Sequence, residues 1–321
     1  MNILVTGGGG FIGAEAAVEM KKIGHNVTVL DTNPNRIRWE TLRKQGIERI
    51  LENVINIANL NIEVDAIIHC AAQTAATTGY ELPALDFVTN ALGTFEVCEF
   101  ARKKDAEIIF TSSNKVYGEN VNKVSMKEFG NRWDFVGRTF TVDELFPIDG
   151  TAHSPYGCSK LSGDMYVQDY RYSYGLKTNV YRMSCIYGSS QTGTEDQGWI
   201  WHIINQIITG KQVNIFGDGK QVRDILYVED LIKLMKLTLE KNVSGVFNVG
   251  GGRDKTVSLM ELLEIVNPEF KDYVFHPWRT ADQKVYISNY TKAQKVFGWT
   301  PVITPEEGIN HIMKVQKEKL K

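Results

Sequence analysis

Two residues in the stretch HSPYGCSK, Tyr156 and Lys160, are of types that together can move a proton. Ser154 and Pro155 precede them and are typical of the start of a helix, so a spacing of four places both side chains on one helix face. A lysine cation favours the ionised form of a neighbouring phenol, and a positively charged cofactor ring would add to that effect. The pair therefore predicts a tyrosine that acts as a base near neutral pH.

The spacing by itself is weak, because a Tyr and a Lys four apart most often form an exposed helix pair. A second stretch, IIFTSSNKVYG, predicts a strand that ends at Ser112 and Ser113. In doubly wound sheets, ligands bind at the carboxyl ends of the strands. Ser113 would then face the same substrate oxygen as Tyr156, which makes the three polar side chains a candidate catalytic set.

The amino-terminal part of the chain predicts a dinucleotide site. Gly7, Gly10 and Gly13 follow the strand pattern NILVT and open the helical pattern FIGAEAAVEMKKIG. Glycines at such a turn expose backbone amides, which hold a pyrophosphate together with the positive end of the helix. A second strand, NVTVLD, ends at Asp31, whose carboxylate suits a ribose diol. We therefore predict that NAD binds here.

Asp31 favours NAD over NADP, because its charge would repel a 2′-phosphate. The next residues, Thr32 and Asn33, carry no positive charge. Arg36 follows closely and leaves NADP open as the alternative.

Composition restricts the class of protein. The chain has 321 residues, of which 43% are hydrophobic, and its 36 basic and 38 acidic residues give a net charge of −2 that favours neither nucleic acid nor an anionic membrane. Its four cysteines lack the spacing of a zinc site or disulfide framework, which is typical of a reducing compartment. Neither a signal peptide pattern nor a run of about 18 apolar residues is present. We expect a cytoplasmic protein without a bound metal.

Short β-branched runs alternate with helical patterns, as in NVTVLD, VDAIIHCAA, EIIFTSS and KTNVYRM. This order predicts an α/β fold with a Rossmann-type, doubly wound parallel sheet. We expect residues 1–181 and 214–250 to form this NAD-binding domain, and 182–213 and 251–321 to form a smaller mixed α/β domain for the substrate. The polar and aromatic segment 119–152 either covers the pocket or lies on the surface.

Taken together, these motifs resemble the extended short-chain dehydrogenase/reductases, the family of NAD-dependent nucleotide-sugar epimerases and dehydratases. The similar stretches are SSNKVYGE, HSPYGCSKLSGDMY, EDQGWIWH, GDGKQVRDILYVEDL and RTADQKVYIS, and the resemblance runs from the glycine loop to near the carboxyl terminus. It implies NAD as the cofactor, a nucleotide-sugar substrate with a CDP-sugar favoured, and a homodimer or homotetramer.

The resemblance also implies roles for individual residues. Tyr156, Lys160 and Ser113 would form the catalytic set. The residues expected to contact NAD are Gly7, Gly10, Phe11, Ile12, Gly13, Asp31, Asn33, Asn53, Val54, Ala71, Ala72, Gln73, Asn90, Ser112, Tyr156 and Lys160. Asn53 stands where the family usually has an Asp that meets the adenine. The residues expected to contact the substrate are Thr74, Asn114, Lys115, Gln197, Gly198, Arg223 and Arg279, the two arginines as a clamp on the diphosphate.

The activity implied by the resemblance is inversion of a sugar carbon through a transient keto sugar. Dehydratase relatives carry an Asp-Glu pair after the strand-end Ser or Thr, whereas this chain has Asn114 and Lys115 there, which favours an epimerase. Inversion at C2 is preferred, and a 4-epimerase acting on a UDP- or GDP-sugar is the alternative. A hypothesis from another class is a non-catalytic, NAD-binding regulatory protein on the same fold.

Overall fold

The computed structural model of the protein describes residues 1–34 and 37–320. Arg36, on which the NADP alternative depends, lies outside the described residues.

Within these residues the chain forms fifteen strands. They are β1 (Asn2–Thr6), β2 (Asn26–Asp31), β3 (Glu48–Leu51), β4 (Ala66–His69), β5 (Glu107–Ser113), β6 (Met126–Phe129), β7 (Arg132–Phe135), β8 (Thr178–Met183), β9 (Cys185–Tyr187), β10 (Val213–Phe216), β11 (Val222–Tyr227), β12 (Gly245–Val249), β13 (Thr256–Ser258), β14 (Tyr273–His276) and β15 (Val285–Tyr286).

The same described ranges contain eleven α-helices. They are α1 (Phe11–Lys22), α2 (Trp39–Lys44), α3 (Ala76–Glu81), α4 (Pro83–Asp86), α5 (Gly93–Lys104), α6 (Ser154–Tyr174), α7 (Trp199–Ile208), α8 (Val228–Glu240), α9 (Leu259–Val266), α10 (Thr291–Phe297) and α11 (Pro305–Lys319). Shorter 3₁₀ turns lie at Val54–Asn59, Asn114–Lys123 and Arg253–Lys255, and a π-helical turn joins α4 to α5 at Phe87–Leu92.

The central sheet has seven strands in the described chain, in the spatial order β12, β8, β5, β4, β1, β2, β3, and every neighbouring pair is parallel. Both faces are covered: Ile3 and Val5 of β1 pack into a core with helices α1 and α8, whereas Leu4 points into a second core with α5 and α6. Strands apolar on both faces are typical of sheets between two helix layers. The predicted Rossmann-type fold class is confirmed.

Smaller sheets stand beside the central one. β10 pairs with β14, and β11 pairs with β9, β13 and β15. These sheets therefore combine strands that precede β12 in the chain with strands that follow it. Of the segment 214–250, which was assigned to the NAD-binding domain, β12 joins the central sheet while β10 and β11 join the smaller sheets. The exact domain boundaries stay a prediction.

Helix α6 is the element that places Tyr156 and Lys160. Pro155 stands in its first turn, and the Oγ of Ser154 accepts the N–H of Gly157 at 3.2 Å, so the helix begins as the sequence suggests. Its buried face carries Gly163, where an added Cβ would lie 3.0 Å from Thr94 Oγ1 and 3.2 Å from the Phe110 ring. The glycine therefore lets α6 approach α5 and β5 closely.

Candidate active site

A deep cleft of about 1230 Å³ opens at the carboxyl ends of β1, β2, β4, β5 and β8 and extends to the smaller sheets. This is the edge at which ligands of doubly wound folds bind. Segment 119–152, all of which is described, contributes no residue to the lining of the cleft. Its side chains Val121, Phe135 and Val142 instead pack into an aromatic core with Tyr286. The segment therefore does not line the pocket, and several of its side chains belong to a buried core instead of only covering the surface.

The glycine loop forms a cradle of backbone. Gly7 has a φ of +65°, and a Cβ there would lie 2.7 Å from the Ala71 nitrogen on the neighbouring loop. A Cβ at Gly13 would lie 2.4 Å from the Gly7 carbonyl oxygen. Helix α1 starts at Phe11 directly behind this turn, so its free N–H groups point toward the cleft. The cradle fits a pyrophosphate, as the glycine spacing predicted.

Asp31 ends strand β2 at the rim of this cradle. It is 5% exposed, and its carboxylate accepts the N–H of Gly9 at 3.1 Å and that of Asn33 at 3.0 Å. These bonds fix the carboxylate and the glycine loop against each other. A fixed acceptor next to a pyrophosphate cradle suits the ribose of an adenosine.

Asn53 and Val54 line the side of the cleft beyond Asp31. The Asn53 Oδ1 accepts the N–H of Ile55 at 3.1 Å and so caps the 3₁₀ turn that begins at Val54. Asn53 thus has a structural task at the position where the family usually carries an Asp, and its amide shapes the wall of the cleft.

Two of the residues expected to contact NAD, Asn90 and Gln73, do not line the cleft. Asn90 is fully buried; its Oδ1 accepts the Gln73 N–H at 2.8 Å, and its Nδ2 donates to Ser159 Oγ at 3.0 Å. It therefore ties the loop after β4 to helix α6. All other residues predicted for the site lie on the cleft wall.

Tyr156, Lys160 and Ser113 meet at the centre of the cleft. Burial raises the pKa of the Tyr156 phenol to about 12, the hydrogen bond with Ser113 lowers this pKa, and the nearby Asp86 carboxylate raises it. Burial lowers the pKa of Lys160 to about 8, while Cys70 and Asp164 act to raise it. In the protein alone, burial therefore outweighs the Ser113 hydrogen bond, and the pKa of the phenol lies above its ordinary value. The combined effect of Lys160 and a cofactor ring on this pKa stays a prediction.

Shifted pKa values of this kind are typical of functional sites, because burying an ionisable group costs stability and is seldom retained without a functional reason. Lys160 also lies 4.3 Å from the centroid of the Phe110 ring on β5, a cation–π contact that holds its ammonium against this strand.

The residues predicted for the substrate lie at the other end of the cleft. Arg223 pairs with Asp282 at 2.5 Å, and Arg279 pairs with Asp196 at 3.2 Å while it stacks 3.9 Å above the centroid of the Phe216 ring. Both arginines thus face the cleft with carboxylate partners already beside them. Guanidinium groups in this position suit a diphosphate.

Asn114 and Lys115 follow Ser113 along the wall of the cleft. Asn114 Nδ2 donates to Gln283 Oε1 at 3.1 Å, and Lys115 Nζ donates to the Ala281 carbonyl at 3.4 Å. Burial lowers the pKa of Lys115 to about 8, with Asp282 acting in the opposite direction. An amide and an amine therefore stand after Ser113, where the resemblance implies two carboxyls in a dehydratase.

Sequence reasoning missed several lining residues: Arg38, Cys185, Asn214, Phe216 and Asp282. Asn214 and Phe216 sit two apart on β10, and this alternation is a signal that could have placed both on one face. Asp282 lies three residues after Arg279, but its ion-pair partner is Arg223, 59 residues away, so no local pattern marks it. Arg38 donates to the Ser190 carbonyl across the cleft and has no local sequence signal.

Within residues 1–34 and 37–320, no group of His, Cys, Asp and Glu side chains is arranged to hold a metal ion. His69, the buried histidine of β4, has Thr6 and Thr94 on its two ring nitrogens at 2.7 and 2.9 Å. All four cysteines are described and are free thiols. No helix in the same residues has the length and apolar character needed to span a membrane.

Comparison with known proteins adds to this geometry. The model of the NAD dependent epimerase/dehydratase family matches residues 3–250. The chain is 32% identical to CDP-paratose 2-epimerase from Salmonella typhi, over 96% of this chain and 97% of that protein. It is also 32% identical to a putative UDP-glucose 4-epimerase from Methanocaldococcus jannaschii, over 98% of both. The crystal structure of UDP-glucose 4-epimerase with UDP-glucose from Thermotoga maritima superposes with a TM-score of 0.85, at 29% identity over 100% of both chains.

Substitution Gly13→Ala tests the cradle. The added Cβ would overlap the Gly7 carbonyl and force the loop away from the pyrophosphate position. We expect the affinity for NAD, measured by isothermal titration calorimetry, to fall at least tenfold, which corresponds to about 1.4 kcal/mol.

The matched control is Gly46→Ala, which places a side chain at another tight turn, with a φ of +65°, away from the cleft. It should lower stability slightly and leave the affinity for NAD unchanged. Equal affinities of the Gly13→Ala variant and the unmodified protein would contradict the assignment.

Proposed function

This chain belongs to the NAD-dependent epimerase/dehydratase family, and we propose that within it the protein inverts C2 of a CDP-sugar, as a CDP-paratose 2-epimerase. At the level of class it is an NAD-dependent nucleotide-sugar epimerase. The observation that carries the proposal is the meeting of Tyr156, Lys160 and Ser113 in a cleft where Asn114 and Lys115 replace an acid pair. The choice of sugar rests on the similarity to the Salmonella typhi protein.

The residues that would hold NAD are the glycine cradle, Asp31 and the wall around Asn53. No side chain fits at the glycines of the cradle, so its backbone N–H groups remain open to a pyrophosphate. When bound, NAD would supply a hydride acceptor and a positively charged ring to the site formed by Tyr156, Lys160 and Ser113.

Tyr156 acts as the base in this proposal. It takes the proton of the substrate hydroxyl while the carbon is oxidised, and it returns the proton when the carbon is reduced on its other face. Ser113 shares a hydrogen bond with the phenol and holds the reacting oxygen beside it. Because burial raises the phenol's pKa, Lys160 must keep its positive charge near Tyr156 for the phenolate to form.

Inversion requires the keto sugar to present both faces to one fixed site. A pocket that grips the ring tightly would prevent this, so the binding energy is best placed on the nucleotide and diphosphate. Arg223 and Arg279 lie at the end of the cleft away from the glycine cradle and are the groups we assign to this tether.

A 4-epimerase acting on a UDP- or GDP-sugar is the second candidate. The Methanocaldococcus jannaschii relative favours it at the same identity, and the Thermotoga maritima structure has the same overall fold. Both candidates use the same proton chemistry and differ in the base and in the carbon that is presented. A cytoplasmic location and a homodimer or homotetramer remain part of the proposal.

A panel of CDP-, UDP- and GDP-sugars, incubated with the protein and NAD and examined by proton NMR, tests the substrate. We expect the CDP-sugar to give a product inverted at C2. Inversion confined to C4 of a UDP- or GDP-sugar would replace the proposal by its second candidate, and turnover of none of the panel would favour the non-catalytic hypothesis.

Substitution Tyr156→Phe removes the proposed base and keeps the ring. Because a positioned base contributes about 10²- to 10⁴-fold, we expect kcat to fall by about three orders of magnitude while NAD stays bound. Tyr172→Phe, at an exposed position of the same helix, is the control and should behave as the unmodified protein. Full activity of the Tyr156→Phe variant would exclude the mechanism.

Substitution Arg279→Ala removes one arm of the proposed tether. Since the arm binds substrate and transition state alike, we expect KM to rise about tenfold and kcat to change little. Arg171→Ala, on the exposed side of α6, serves as the control in the same steady-state assay. A fall in kcat with an unchanged KM would place Arg279 in the chemical step instead.

A further inference from the structure

Helix α6 carries a third polar residue in line with the proposed catalytic pair. Asp164 follows Lys160 by four residues, as Lys160 follows Tyr156, so all three lie on one face of the helix. Asp164 is fully buried, unlike the neighbouring Met165 and Tyr166. A buried acid in this place requires partners.

Those partners come from two strands of the central sheet. The guanidinium of Arg182 on β8 donates to both oxygens of Asp164, at 3.0 and 3.1 Å, and Ser112 Oγ on β5 donates to Oδ2 at 2.7 Å. Ser112 and Arg182 are directly opposite each other in the parallel pair β5–β8. The carboxylate therefore fixes the position of helix α6 relative to strands β5 and β8.

Arg182 extends the network beyond the helix. It is 4% exposed, and its Nη1 donates to the Tyr117 hydroxyl at 3.4 Å and to the Glu144 carbonyl at 3.3 Å. Tyr117 in turn donates to Asn248 of β12 at 2.7 Å. Forked ion pairs of this type have a strict geometry, so they position elements more than they stabilise the fold.

Asp164 also affects the charge of Lys160. His69 and Cys70, at the end of β4, face Lys160, but burial lowers the pKa of His69 to about 3 and raises that of Cys70 to about 12, so both are neutral near pH 8. Asp86 acts on Tyr156 instead. The Asp164 carboxylate raises the pKa of the buried ammonium, against the effect of burial.

We infer that Asp164, held by Arg182 and Ser112, is a positioning residue for the proposed catalytic pair: it fixes α6 against β5 and keeps the positive charge of Lys160 beside Tyr156. The inference rests on the proposed function, since it concerns the same proton transfer. It adds a reason why Lys160 remains charged although it is 2% exposed.

The pH profile of kcat distinguishes this role from simple packing. Loss of the Lys160 proton should set the alkaline limb of the profile, and removal of the Asp164 charge lowers the pH at which that proton is lost. For Asp164→Asn, with CDP-paratose as the probe, we expect the alkaline limb to move down by about one pH unit. We also expect kcat at pH 7 to fall about 100-fold, because the helix is no longer held in register.

Asp164→Glu keeps the charge on a longer side chain, so its limb should stay in place while kcat falls. The matched control is Asp169→Asn, an exposed acid of the same helix, whose profile should be that of the unmodified protein. If Asp164→Asn folds and its limb and kcat equal those of the unmodified protein, the inference is overturned.

Asp164→Asn strands a buried guanidinium, so the single variant can fail to fold. The double variant Asp164→Asn/Arg182→Met removes both charges, and its kcat should still fall about 100-fold, with KM and NAD affinity close to normal. An unchanged kcat in the double variant would also overturn the inference. Tyr156→Phe separates the two levels: if that variant is fully active, the proposed function fails, and if it is inactive while the Asp164 variants are normal, only the positioning role fails.

Discussion

The contact of helix α6 with strand β5 is the constraint on which the site depends. Tyr156 and Lys160 come from the helix, and Ser112 and Ser113 come from the carboxyl end of the strand. Some forty residues of chain separate the two elements. Nothing in local sequence joins them. The small residue Gly163 permits the close approach, and the Asp164–Arg182 ion pair selects one register from those that close packing alone would allow.

This placement is costly in stability. Tyr156 is half-buried and Lys160 is buried on the same face of α6, and burial acts against the charged form of each, as their shifted pKa values show. Groups arranged in this way are retained for chemistry more than for folding. The same holds for Lys115, which is half-buried in the wall of the cleft and whose pKa burial lowers to about 8. The cleft thus contains three ionisable side chains, Tyr156, Lys160 and Lys115, whose pKa values are shifted by burial.

The parallel sheet, the glycine cradle and the Tyr156–Lys160 pair could all be predicted, because each depends on spacing within a short stretch of chain. The alternation of strands and helices decided the fold class, and the position of Ser113 at a strand end followed from it. Asn90 and the partners of the two arginines could not be placed in this way, since their contacts join residues distant in sequence, such as Arg223 with Asp282. The pKa of Tyr156 in the protein alone could not be predicted either, because burial, which raises this pKa, is a property of the folded cleft.

The proposed function makes different demands on two parts of the cleft. The sugar must react at the centre, and the nucleotide must be held at the end that carries the two arginines. In the proposed function, polar groups such as Ser113 and Tyr156 at the centre of the cleft hold one oxygen while the ring turns, so few firm contacts with the rest of the sugar are useful. At the far end, Arg223 and Arg279 are held by Asp282 and Asp196 before any anion arrives. Their guanidinium planes are therefore oriented in advance, and Arg279 is further fixed by its stacking on Phe216. A diphosphate that takes over these donors gains directed hydrogen bonds without having to order two long side chains, which is how a tether can bind firmly and leave the sugar free to invert.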